Sequence, residues 1–159
     1  MGEPLRLVGH GLVQRQVLGP QEPGGAPGRL EVWVRRYRCR SCRAVVMVGP
    51  RGLVRRRSYW GPAIALALAQ YGAGLTTAGI RNEISPATHV GVAATERWVT
   101  VERWAQAARC AGMLGLGPME VTSNRMAAAQ MVMALAGRGG YRLGDNLVVR
   151  AFEGAAIAA

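Results

Sequence analysis

The chain has 159 residues, half of them hydrophobic but with a single Phe, and twenty basic residues against nine acids, for a net charge of +11. That length fits one domain or two very small ones, and that charge favours a polyanionic partner. Three cysteines are too few, and the wrong parity, for a secreted disulfide framework. The opening MGEPLRLVGHG lacks a signal pattern, and the most apolar run, Gly61–Ile80, is interrupted by Gln70 and glycines before it could span a bilayer. The expectation is a soluble cytoplasmic protein with no membrane partner.

Residues 5–18 read as two short β-like runs hinged at Gly9-His10-Gly11, followed by a Pro/Gly loop, GPQEPGGAPG. Residues 29–38 alternate with period two: Leu30, Val32 and Val34 on one face, Glu31, Trp33 and Arg35 on the other. Cys39-Arg40-Ser41-Cys42 makes a tight turn, and residues 43–48 return as a strand. From Ser58, a natural N-cap, the spacing of Trp60, Ile64, Leu68 and Tyr71 predicts a helix. Gly72-Ala73-Gly74 stops it, and Thr76 or Thr77 can cap a second helix, TAGIRNEI, ended by Ser85-Pro86. A third helix is expected from about Val92 to Ala108 with Trp98, Val101, Ala105 and Ala108 inward. A fourth is expected from about Glu120 to Ala136, and a short last one in AFEGAAIAA. The predicted fold class is α+β. A small antiparallel, zinc-ribbon-like β region (residues 1–57) precedes a helical, helix-turn-helix-like region (58–159).

Two constellations stand out. In the Cys-x-x-Cys turn, Cys39 and Cys42 can form one knuckle of a tetrahedral zinc site. Such a site needs four ligands, and His10 is the nearest third candidate, so the set is incomplete. A zinc-free relic of a ribbon and a redox pair are the alternatives; the second is disfavoured because the motif sits between strands instead of opening a helix. Around this turn stand Arg35, Arg36, Arg38, Arg40 and Arg43, with Arg51, Arg55, Arg56 and Arg57 following. Those are nine arginines without an acid between Arg35 and Arg57. Arginine-rich codon usage explains why lysine is missing, but not why the arginines cluster. Six of them on phosphates would give a log–log salt slope of roughly −5. The helices from Ser58 to Arg109 have the outline of a helix-turn-helix, with either Leu75–Ile84 or Thr95–Arg109 as the groove helix. The second is preferred for Arg97, Thr100 and Arg103, with Arg103 best suited to a guanine edge.

Catalysis has little support. Asp145 and eight Glu are dispersed, His10 and His89 lie apart, and a GxxxxGK[ST] loop is impossible without lysine. The expectation is a protein that is not an enzyme.

With its Tyr37-Arg38-Cys39-x-x-Cys42 strand and turn and its Arg97-Trp98-x-Thr100-x-x-Arg103-Trp104 helix, the chain resembles small bacterial transposase-associated proteins. These look like the N-terminal zinc-ribbon and helix-turn-helix region of insertion-sequence transposases without the nuclease domain. The resemblance covers roughly residues 10–159 and implies DNA binding by a targeting module of mobile-element origin. The chain departs from the family in two ways. Relatives typically have a further Cys-x-x-Cys before the segment matching Gly9-His10-Gly11, which this chain either starts too late to include or has lost, and they often carry Gly where this chain has Arg43. Two further readings are a protein–protein adaptor docking through Met126–Met133 and an RNA-binding ribbon protein. The sequence shows no aromatic stacking platform that would favour single strands.

Overall fold

A computed structural model describes residues 6–87, 97–140, 144 and 146–158. Strand β1 (Leu7–Gly19) pairs antiparallel with β2 (Gly28–Cys39), which pairs with β3 (Val45–Val48), in the sheet order β1-β2-β3. Five helices follow among the described residues: α1 (Gly61–Gly72), α2 (Thr77–Ile84), α3 (Val99–Cys110), α4 (Asn124–Arg138) and α5 (Leu147–Ala158). The α+β class and the early antiparallel sheet are as expected.

The alternation in β2 sets the two faces of the sheet. Residues directly opposite one another share a face, so the pairs Val13–Val34, Arg15–Val32 and Val17–Leu30 lie together. This is the inner face, where Val17, Val32 and Val34 are buried. The residues between them, Leu12, Gln14 and Gln16 on β1 with Glu31, Trp33 and Arg35 on β2, form the outer face. β1 is one strand and not two. The register slips between Gly9 and Leu12, so that His10 and Gly11 together stand opposite Arg36. A β-bulge absorbs the extra residue and lets the ladder continue through the glycines expected to break it.

The sheet meets the helices at one seam. The Leu18 amide donates to the Ser58 carbonyl at 2.8 Å, and the Trp60 amide donates to the Leu18 carbonyl at 3.1 Å. Gly19, at φ +114°, lies so close to α1 that an added Cβ would be 2.3 Å from the Ala63 Cβ. Because Ser58 is held in this bridge, it does not cap α1. That helix begins after Trp60 without a side-chain cap, and Pro62 sets its first turn. The Thr76 cap on α2 is as expected, its hydroxyl accepting from the Gly79 amide at 3.3 Å.

The main core is helical. Ile64, Leu68, Ile80, Ile84, Val101, Met131 and Leu135 are fully buried among many alanines, each larger side chain contributing about 1.5–3 kcal/mol. Trp98, Trp104 and Tyr59 meet edge-to-face, their centroids 5.1–5.7 Å apart, and the Tyr59 hydroxyl donates to Ser85 Oγ at 2.9 Å. The alanines allow close approach, most of all between α4 and α5, where Gly154 lies directly against the Leu135 carbonyl. α4 starts later than expected because Ser123 caps it, accepting from the Met126 amide, and α5 starts earlier. The third predicted helix, expected from about Val92, begins at Val99 among the described residues, with Arg97 and Trp98 ahead of it in non-helical backbone; Glu96 lies outside the described residues, as do His89 and Asp145.

Candidate nucleic-acid interface

β2 runs into the Cys-x-x-Cys turn, and the Cys39 amide donates to the Ala44 carbonyl (2.8 Å) while the Arg43 amide donates to the Cys39 carbonyl (3.0 Å). Closing so tight a turn forces Arg43 to φ 60°, the left-handed region that costs a side-chain-bearing residue about 1–2 kcal/mol. That geometry gives a physical reason for a glycine at this position. Arg43→Gly is therefore expected to stabilise the chain by about 0.5–1 kcal/mol, after allowance for glycine's greater unfolded-state freedom; chemical denaturation would measure it.

The turn gathers both thiols. Cys39 is buried and Cys42 exposed, and neither forms a disulfide. The backbone amides of Cys42 and Ser41 donate to the Cys39 sulfur and, with the Cys42 thiol, hold its pKa below the ordinary thiol value. A turn that stabilises thiolate in this way suits half of a metal site. The other half is not assembled among the described residues, which contain no group of three His, Cys, Asp or Glu side chains able to hold an ion. The register explains the case of His10. Leu7 stands opposite Cys39, so His10 lies three residues further along β1, about 10 Å away. The structure brings Cys39 and Cys42 together and leaves His10 apart.

The nine clustered arginines divide into groups. Arg38, Arg40 and Arg43 line one half-open cleft of about 230 Å³ at the hairpin tip, with Val8 and Cys39. Arg35 lies on the outer face, its guanidinium 5.7 Å from the Tyr37 ring centroid, and Arg36 lies on the inner face beside the bulge. Arg51, Arg55 and Arg56 are exposed and Arg57 half-buried in the link to α1. The Arg15 guanidinium donates to the Arg57 carbonyl (3.5 Å), and Arg15 stands opposite Val32, seven residues along β2 from Cys39. Arg57 therefore lies about 20 Å along the strand from the tip, and a ligand touching both must be an extended polymer.

The arginines of the helical half have a different role. Arg125 donates to the Tyr71 carbonyl at the end of α1 (2.8 Å) and stacks on the Tyr71 ring. Arg138 donates to the carbonyls of Leu114 and Gly115, Arg150 to that of Ala136, and Arg109 to that of Thr122. Each satisfies a carbonyl at a helix end or in a loop. Arg97, a sequence candidate for the groove, forks onto both oxygens of Glu102 (2.9 and 3.0 Å), which raises its pKa; this is the one ion pair among the described residues. Thr100 is half-buried and Arg103 exposed on α3. Trp98 and Trp104, from the same motif, are core residues.

Helix α2 follows α1 after only four residues, whereas fourteen separate α2 from α3. Among the described residues, a short-turn pair can be drawn from α1 and α2, and the exposed residues near the end of α2, Asn82 and Glu83, carry no positive charge. No family model matches the chain, and neither a curated protein nor a solved structure matches it. Among the described residues, no helix is long and apolar enough to cross a membrane.

Proposed function

We propose that the chain binds DNA through its arginine-rich hairpin and the linker that follows, as a targeting module. The observation that carries this reading is the contrast between the two halves. In the helical half, Arg97, Arg109, Arg125, Arg138 and Arg150 each meet an acceptor of the protein. Around the hairpin, none of the nine arginines pairs with a carboxylate or donates a side-chain hydrogen bond to the protein among the described residues. Three of those arginines line a single cleft, and like charge gathered in one place favours an anionic ligand. Phosphodiesters suit such a cleft because the guanidinium fork donates two parallel hydrogen bonds.

Arg103, exposed on α3, is the residue of the helical half best placed to add a base contact. The mobile-element origin and the zinc-ribbon and helix-turn-helix assignments rest on sequence resemblance. In a zinc-loaded form, Cys39 and Cys42 would be two of four ligands.

One observation favours an adaptor role instead. Met126 and Met133 lie one heptad apart on α4, both exposed, Met133 by 64%, and an exposed methionine pair is an adaptable protein-binding surface. Retention on immobilised duplex DNA separates the two readings. DNA binding predicts retention at about 0.1 M salt and release by about 0.5 M, and Arg55→Ala/Arg56→Ala/Arg57→Ala should elute earlier with an unchanged melting temperature. Failure of the parent to bind at low salt, or co-purification of a partner that survives high salt, would favour the adaptor.

A further inference from the structure

The outer face of the sheet carries a feature that phosphate binding alone does not require. Trp33 and Tyr37 lie on it, four residues apart on the central strand β2, with Arg35 between them. Trp33 is 61% exposed. β3 ends opposite Arg35, so no strand flanks Trp33 on that side. On the other side, Gln14 stands opposite Trp33, and the side-chain-free Gly9 stands opposite Tyr37. Leu12 and Val48 flank Arg35 from the two neighbouring strands, 58% and 53% exposed. An apolar, aromatic surface is thus open to solvent on a strongly basic part of the molecule.

We infer that this face is a stacking platform for the unpaired bases of a single-stranded nucleic acid, with Trp33 as the principal contact and the Arg35–Tyr37 pair as the second. The inference rests on the nucleic-acid reading above and specifies which form of the polymer this surface takes. Bases within a duplex are already stacked and cannot lie flat on a tryptophan. Unpaired bases can, and they also stack on guanidinium planes such as the one Arg35 holds over Tyr37. Trp33 and Tyr37 are about 13 Å apart along the strand, so one extended strand of nucleotides can reach both. Charge selects the occupant. Arg29 and Arg35 lie on this face, and its one carboxylate among the described residues, Glu31, is engaged by the Gln14 amide. An apolar surface ringed by cations and almost without anions suits a ligand that is both aromatic and polyanionic. The tip cleft lies at the end of the same strand, where it would hold the phosphates of a strand leaving the platform.

The test compares the full chain with Trp33→Ala and Trp33→Phe, using an oligothymidine and a duplex of equal length at about 0.15 M salt. Trp33→Ala is expected to weaken oligothymidine binding about tenfold or more while changing duplex binding less than twofold. Trp33→Phe should restore most of the loss. The quenching of tryptophan fluorescence by oligothymidine should disappear with Trp33. Because the ring is exposed, the variants should melt like the parent. Equal effects on both nucleic acids, or none on either, would overturn the platform while leaving phosphate binding intact. If the parent binds neither nucleic acid, both readings fail. If Trp33→Ala abolishes self-association in sedimentation but spares oligothymidine binding, the face is a protein interface and the inference is wrong.

Discussion

Gly154→Ala is expected to destabilise the chain by about 3 kcal/mol and lower its melting temperature by about 10 °C, although only one methyl group is added. The new Cβ would lie 1.9 Å from the Leu135 carbonyl oxygen, 2.8 Å from its carbon and 3.0 Å from the Gly139 amide. These are backbone atoms, so no side chain can rotate away and α4 and α5 must separate. The same contact is tight from the other helix, because a Cβ on Gly139 would be 2.2 Å from the Arg150 carbonyl oxygen. Separation would open the alanine-rich seam that includes Ala128, Ala136, Ala151 and Ala155, all buried, and leave gaps in a core with few large side chains to refill them. Gly137 is the control. It is exposed on α4 with nothing within 4 Å of an added Cβ, so Gly137→Ala should stabilise by about 0.5–1 kcal/mol through helix propensity alone. Opposite signs from the same substitution seventeen positions apart, measured by thermal or urea unfolding, would establish the close helix packing. Equal effects would contradict it.

The second large effect is on binding. Arg38→Ala/Arg40→Ala/Arg43→Ala removes the charge of all three arginines that line the tip cleft. If each neutralises one phosphate of a duplex, the variant releases about 2.7 fewer counterions, and at about 0.1 M salt that loss is between two and three decades of affinity. The fold should hold, because none of the three donates a side-chain hydrogen bond to the protein among the described residues, and Arg43→Ala keeps a side chain in the left-handed position without adding strain.

Much of the fold is legible in the sequence where local patterns are strong. The alternation from Leu30 to Arg35 gives β2 and its two faces, and the Thr76 cap gives α2 to the residue. The misreadings share one cause, which is that distant contacts decide the outcome. Pairing with β2 carries the ladder through Gly9-His10-Gly11 by way of a bulge, and the bridge to Leu18 removes Ser58 from its expected capping role.

Candidate sites follow the same division. The tip arginines are local to their turn and were readable. Arg97, just ahead of α3, is engaged by Glu102 in the first turn of that helix, a charge pair visible in principle in the sequence. The burial of Trp98 and Trp104 against Tyr59 needed the tertiary structure. The outer-face platform was within reach of the sequence. The alternation that puts Trp33 beside Arg35 on one face of β2 puts Tyr37 there too when carried two residues further. What the sequence could not give is that Trp33 stays exposed in the folded chain.

The most direct test of the central claim is the salt dependence of duplex affinity for the parent and two variants that lose equal charge, Arg38→Ala/Arg40→Ala/Arg43→Ala from the tip and Arg97→Ala/Arg109→Ala/Arg138→Ala from the helical half. The parent should show a log–log slope of about −5, the tip variant one shallower by about 2.7, and the helical variant a slope close to that of the parent. Equal slopes for the two variants would mean that net charge alone holds the nucleic acid, and the hairpin would have no special part in binding it.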